Sequence, residues 1–435
     1  MFKLLLSIIL CSPPALADFS QAPKPFAYQD GQAVFVDFET VNLTWTFDPT
    51  ARTHTAKAEV TFLAPVAGYP VFDLITEPTN VKLDGTSVQT ATSRPGSATT
   101  VRVLSAKVTA NSRHTLMLDY KLPDVVFSGS SVRFSTFMGD LSDRKFFEQY
   151  APTNFEYDQY VQNIFLTLKT KQEHRIYTNA IVYPNGGNTF KLEFPAYFTT
   201  SSFYFHVSEA GRFKEVNFLY GGLESTFPVV VYAESQGLAD QGASTTKRVL
   251  AELEQTFGIY GHDSLTIYIT PSGGGMEYCG ATVTSMGALG HELTHSWFAR
   301  GVMPANGNAG WIDEAVASWR DSGYPRRQSP GTAANLGGFS EYRRHTTQAA
   351  YSNGMNFIAH LDYLFSNLGG MKELLKILWI EKRRQTLTTP EFEEFLERKT
   401  DKDLTELFKS YVYSQPTELL GVHTKFTEEE LAKFR

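Results

Sequence analysis

The sequence predicts an α+β protein: an all-β domain, a twisted sandwich or saddle, then a mixed α/β region that ends in helices. Three observations carry this. Apolar residues alternate with polar ones through the first half, the period changes to a helical one near residue 210, and apolar helical periodicity then recurs to the C-terminal end. At 435 residues and 42% apolar content, the chain is long enough for two substantial cores. The expected segments are residues 1–17 as a leader, 18–210 as the β domain and 211–435 as the second domain.

The leader expectation rests on Lys3, the short apolar run Leu4–Leu10 and the small residues around Ala15-Leu16-Ala17. It implies export and a periplasmic or secreted mature chain beginning at Asp18. A lipid anchor at Cys11 is disfavoured by the bulky Leu10 before it. No later apolar run approaches the ~20 residues a transmembrane helix needs. After processing only Cys279 remains, so no disulfide can form within the chain, and the default for such a lone thiol is a small buried hydrophobe.

In the β domain the alternating sets are Leu43, Trp45, Phe47; Ala56, Ala58, Val60, Phe62; Leu116, Leu118, Tyr120, Leu122; and Ile164, Leu166, Leu168. Asp84-Gly85 and Asn185-Gly186-Gly187 supply turns between strands. Beyond residue 210, Pro228–Tyr232 reads as a strand and Ser244–Phe257 as a helix with Val249, Leu250, Leu253 and Phe257 on one face. Ser264–Thr270 is a further strand. Pro304–Gly310 and Arg326–Gly338 read as loops, the latter exposed. Thr389 is the expected N-cap of a late helix, with Pro390 at its first position. A formal charge of −7 carries no electrostatic footprint for nucleic acid or anionic lipid.

The chemistry is concentrated at His291-Glu292-Leu293-Thr294-His295. Two histidines four residues apart on a helix are separated by about 400° of rotation and about 6 Å of rise, so both rings leave one face. Such a pair binds one Zn²⁺, with Glu292 placed beside it as a general base. A hydrolytic zinc site needs a third protein ligand and one open position. Glu314, in the helical run Trp311–Trp319 with Ile312, Ala315, Val316 and Trp319 on its packed side, is the candidate, since a carboxylate there is unfavourable unless it meets a cation. Asp313 either orients a ligand histidine or favours the helix start.

The HExxH pair, the spacing to Glu314 and the W-x-x-E-A run resemble the gluzincin metallopeptidases, most closely the M1 aminopeptidases. Gly274-Gly275-Met276-Glu277-Tyr278 looks like that family's G-x-M-E-N segment, with Tyr in place of Asn. The resemblance implies that Gly274, Gly275 and Met276 approach the substrate and that Glu277 holds its free α-amine. Tyr351-Ser352-Asn353-Gly354 resembles the family's Y-x-K-G segment, implying that Tyr351 stabilises the oxyanion. Tyr342 and Tyr363 are the alternatives for that role. The resemblance also implies that the β domain lends a Gln or Glu to the amine site, for which Glu148 and Gln149 are the candidates.

The resemblance further implies a thermolysin-like catalytic domain and one Zn²⁺ held by His291, His295 and Glu314. The implied activity is removal of N-terminal residues from peptides. The helical domain that caps many members is missing from this sequence, so a more open cleft is expected. The competing expectations are a zinc endopeptidase or other zinc hydrolase on the same fold, or a secreted, non-catalytic peptide-binding protein.

Overall fold

The computed structural model describes residues 19–97 and 99–415. The leader expected at residues 1–17 lies outside them. No described helix is long and apolar enough to cross a membrane.

An eight-stranded sheet organises the first half. Its order is Ile181–Pro184, Thr189–Glu193, Val161–Leu168, Asp37–Asp48, Thr53–Ala64, Ser112–Tyr120, Thr79–Leu83, Thr86–Ser87. The two long central strands pair antiparallel, whereas Val161–Leu168 runs parallel to Asp37–Asp48. Because side chains alternate between faces of a strand, Leu43, Trp45 and Phe47 all point inward, together with Val60, Leu116, Ile164 and Leu166. Against this face lies a four-stranded sheet, Val126–Ser128, Ser131–Ser135, Phe205–Glu209 and His174–Thr178. Phe134 and Phe205 meet the Trp45 ring edge-on at 5.6 and 5.5 Å. Each large side chain so buried contributes roughly 1.5–3 kcal/mol. Asp84 and Gly85 both adopt positive φ, 51° and 79°, as a two-residue hairpin requires.

The second half begins with a mixed sheet ordered Lys214–Gly221, Thr226–Ala233, Leu265–Thr270, Ala281–Ser285, Gly275–Tyr278. Helix α1, Gln236–Phe257, joins the parallel pair Thr226–Ala233 and Leu265–Thr270. It starts eight residues before the Ser244 expected from periodicity. Ser235 caps it by accepting from Leu238 N, and small residues face the sheet in its first turns. Gly242 packs so closely that a Cβ there would lie 2.8 Å from Ile269 and 3.0 Å from Val231. Small residues leave a weak hydrophobic signal, which is why the apolar pattern understates the helix.

Among the described residues six α-helices follow: α2 (Leu289–Thr294), α3 (Gly310–Asp321), α4 (Met355–Leu364), α5 (Gly370–Lys382), α6 (Thr389–Thr400) and α7 (Thr405–Tyr411). The cap of α6 is Thr388, one residue earlier than expected. Its hydroxyl accepts from Glu391 N while the Glu391 carboxylate accepts from Thr388 N, a reciprocal capping box. Thr389 serves elsewhere: its hydroxyl donates to Asn308 O and accepts from Trp311 Nε1.

The stretch between α3 and α4 is not simply an exposed loop, as had been expected for 326–338. Leu336 is fully buried, and further along Arg344 inserts into the β domain. Its guanidinium reaches Glu156 (2.8 Å), Glu148 (3.1 Å) and Asp73 (3.3 Å) and lies over the rings of Phe146 and Phe155.

Candidate active site

Three donors converge where α2 meets α3. Leu289, Leu293 and Trp297 are buried in the core and fix α2, so that the His291 ring and that of His295, the next residue after the helix, share one side. Helix α3 buries Trp311, Ala315, Val316 and Trp319 and carries Glu314 inward. Glu314 Oε2 lies 3.0 Å from His291 Nε2 and 3.6 Å from His295 Nε2. One donor atom from each residue falls within 4.8 Å of the others.

Outer contacts hold each donor in place. His291 Nδ1 is 2.7 Å from Asp321 Oδ2, His295 Nδ1 is 3.1 Å from Phe298 O, and the Tyr351 hydroxyl donates to Glu314 Oε1 at 2.6 Å. Acceptors at both Nδ1 atoms turn each Nε2 toward the centre. Two ring nitrogens and a carboxylate facing one point attract positive charge there, whether a metal ion or a proton on His291 Nε2 shared with Glu314 Oε2. Burial opposes charging His291, yet its hydrogen bonds to Asp321 and Glu314 win and push its pKa up to about 11. Burial likewise opposes the Glu314 anion, but the His291 hydrogen bond and both imidazoles hold its pKa below the usual range. This N,N,O donor set, with its outer shell already formed, suits a Zn²⁺ ion.

Asp313 is hydrogen-bonded to neither ligand histidine, although it lies within 4.8 Å of His295. Its carboxylate accepts from the Glu314 backbone N at 2.6 Å, and Asp321 is the partner of His291. The sequence did hold a signal, since Asp321 follows Glu314 by two helical turns and therefore shares its face.

Glu292 is buried and its Oε2 has no hydrogen-bond partner. Its side chain lies across the Gly275 backbone: a Cβ at Gly275 would sit 2.3 Å from Glu292 Cδ. Burial, then Glu277, Glu314 and Asp140, raise its pKa, with His291 opposing. Gly275 is thus a packing requirement. Gly274 is in open space, and Met276 is buried among Tyr177, Tyr204, Tyr232 and Tyr278.

Glu277 lies on Gly275–Tyr278, the edge strand of the mixed sheet, and is buried. Donor atoms of Glu277, His295 and Asp313 also fall within 4.8 Å of one another. Tyr278, in the position where the resembled segment has Asn, uses its hydroxyl to accept from Met138 N of the β domain at 2.9 Å. Cys279 is buried and its thiol is pushed up to about 12 by burial, so it is inert.

The structure brings Tyr351 alone of the three tyrosines to the triad, its ring stacked on His291 at 5.9 Å. Tyr342 packs on Phe26 and Phe35, and Tyr363 is exposed. Glu148 is occupied with Arg344, and Gln149 donates to the Phe146 carbonyl, so neither reaches the site. The β-domain carboxyl group that lies near Glu277 is that of Asp140. Its pKa is raised well above the usual range by burial and by the neighbouring Glu277 and Glu314, and its backbone carbonyl accepts from Thr346 N. No local pattern around Asp140 could have pointed to it, because only tertiary folding brings it beside Glu277.

No family model and no curated protein sequence matches the chain. Solved structures do. The M1 zinc metallopeptidase of Deinococcus radiodurans aligns at a TM-score of 0.61 and 14% identity, over 88% of this chain and 95% of that one. A two-domain M1 zinc metallopeptidase variant bound to L-tryptophan gives 0.61 and 15%, over 91% and 97%. Native yeast LTA4 hydrolase gives 0.62 and 13%, over 87% and 68%. The chain therefore has the fold of the M1 zinc metallopeptidases, a β-rich N-terminal part followed by a mixed and then helical part.

Proposed function

We propose that the protein is a zinc-dependent aminopeptidase. The observation that carries this reading is the short distance between the Glu277 carboxylate and the His295 donor, within 4.8 Å. One residue of peptide spans roughly 3.3–3.6 Å. An α-ammonium held at Glu277 and Asp140 therefore places the first carbonyl, not a later one, at the triad.

The carboxyl groups of the site suit an ammonium. Asp140, Glu277, Glu292, Asp313 and Glu314 lie together, with the Arg300 guanidinium on Glu277 and that of Arg344 lining the same cavity as Asp140 and Asp313. When bound by His291, His295 and Glu314, Zn²⁺ polarises a carbonyl oxygen and lowers the pKa of water. Glu292 accepts the proton of the attacking water at its unpartnered Oε2 and returns it to the leaving amine. Tyr351 turns its hydroxyl from Glu314 to the carbonyl oxygen as negative charge develops there. The edge strand Gly275–Tyr278 offers main-chain groups to an extended peptide.

Glu277→Ala is expected to abolish cleavage of aminoacyl 4-nitroanilides while leaving N-acetylated peptides as they were. Comparable loss on both would favour an endopeptidase or another zinc hydrolase on this fold. Gly275→Ala is expected to push Glu292 off its position and lower kcat by on the order of 100-fold at unchanged zinc content. Full activity in that variant would show that Glu292 works from elsewhere. Export, with a periplasmic or secreted location, is part of the same proposal. N-terminal sequencing of the mature chain tests it, with Asp18 the expected first residue.

A further inference from the structure

Arg300 is a buried cation that the reaction above does not use. It leaves the turn after α2, its backbone N donating to His295 O at 2.9 Å. Nε donates to Glu277 O at 3.2 Å, Nη2 to Glu277 Oε1 at 2.7 Å, and Nη1 to Ser201 Oγ of the β domain at 2.8 Å. One guanidinium thus ties together the segment bearing the histidines, the edge strand bearing Glu277, and the β domain. It also borders a small cavity lined in part by Asp140, Asp313, Arg344 and Thr346.

An unheld carboxylate rotates about its side-chain bonds and presents either oxygen in several directions. Glu277 sits beside His295 and Asp313, and the clamp on both its backbone carbonyl and its Oε1 removes that freedom. The second oxygen, Oε2, is left for a ligand.

We propose that Arg300 is a positioning residue for the amine site. By holding the main chain and one carboxylate oxygen of Glu277, it aims the other oxygen at the substrate's α-ammonium and restricts recognition to peptides with a free N-terminus. The proposal rests on the aminopeptidase reading. An interaction of this kind, made equally in the bound and reacting states, shows in KM and not in kcat. Loss of a charge-assisted hydrogen bond corresponds to roughly a 10- to 100-fold change.

The test uses the full chain carrying Arg300→Gln, Arg300→Lys and, as a milder change, Ser201→Ala. Zinc content, thermal melting, and kcat and KM on an aminoacyl 4-nitroanilide are measured. Binding of an amino-acid amide and of its N-acetyl derivative is measured alongside. Arg300→Gln is expected to raise KM and weaken amide binding by roughly 10- to 100-fold, with kcat and N-acetyl binding within about threefold. Arg300→Lys should recover part of the loss, and Ser201→Ala should give a smaller KM rise in the same direction.

If Arg300→Gln does not accumulate as folded protein, the other two variants decide by the same KM-against-kcat split. Unchanged KM, or equal weakening of both amides at normal zinc content, overturns the positioning role. Glu277→Ala insensitivity on free-amine substrates would instead overturn the aminopeptidase reading itself.

Discussion

Glu292→Gln is expected to lower kcat by roughly 10²- to 10⁴-fold, the range for loss of a general base, with zinc content and melting temperature preserved. The substitution keeps the shape of the side chain and removes only its capacity to hold a proton. Shape matters because Glu292 lies directly on the Gly275 backbone, with no room for displacement on that side. Stability should not suffer. Burial and the charges of Glu277, Glu314 and Asp140 already disfavour the Glu292 anion, so a neutral amide relieves strain in the cluster.

The measurement is turnover of an aminoacyl 4-nitroanilide by wild type and variant, each with its zinc content determined and with a chelated control. Activity within tenfold of wild type at full metal content would remove Glu292 from the role of base. A zinc-loaded wild type with no turnover on any peptide would leave the binding-protein alternative standing.

The second large effect concerns stability. Arg344→Met is expected to destabilise the protein by roughly 3–5 kcal/mol, the range for stranding buried charges by removing their partner. Arg344 is fully buried between Asp73, Glu148 and Glu156, and Arg144 alone would remain beside Asp73. At about 2–4 °C per kcal/mol for a unit of 150–250 residues, the size of the β domain that holds Arg344's partners, the melting temperature of that unit should fall by on the order of 10 °C.

The effect has a pH signature. Burial, then Glu148, push Asp73 up to about 7 even with Arg344 and Arg144 opposing, and Glu148 is raised as well. Carboxyls with folded-state pKa values above their unfolded ones bind more protons when folded, so stability falls as pH rises through that window. Without Arg344 the window extends upward, and the gap between variant and wild type should widen from pH 5 to pH 8. Melting curves across that range check it, and a gap independent of pH would show that lost packing, not charge, is responsible. Activity should fall with stability, because the Arg344 segment also holds the site together. Thr346, two residues on, binds the Asp140 carbonyl and lies against Gly310 at the start of α3, where a Cβ would sit 2.1 Å from the Thr346 hydroxyl.

Among the helices, the parts visible in sequence were those with large side chains at regular spacing. The C-terminal half of α1 shows through Val249, Leu250, Leu253 and Phe257, whereas its first turns, built on Ala239, Gly242 and Ala243, do not. The same contrast holds at the site. His291, Glu292 and His295 are linked by helix geometry, which is local, and Glu314 sits at a legible place on the next helix. Asp140, Arg300 and Arg344 are linked to their partners only through folding. Glu277 and Arg300 are separated by 23 residues, and Arg344 and Glu156 by 188.

The sequence by itself therefore determined the order of the two architectures and the residues able to face a zinc ion, since backbone periodicity and helical pitch are properties of neighbouring residues. Tertiary structure alone decided which charges are paired: that Asp321 rather than Asp313 backs His291, that Asp140 rather than Glu148 reaches the site, and that Glu277 is clamped by Arg300. The physical reason is that an ion pair depends on distance and on removal from water, and neither is fixed until separate segments pack.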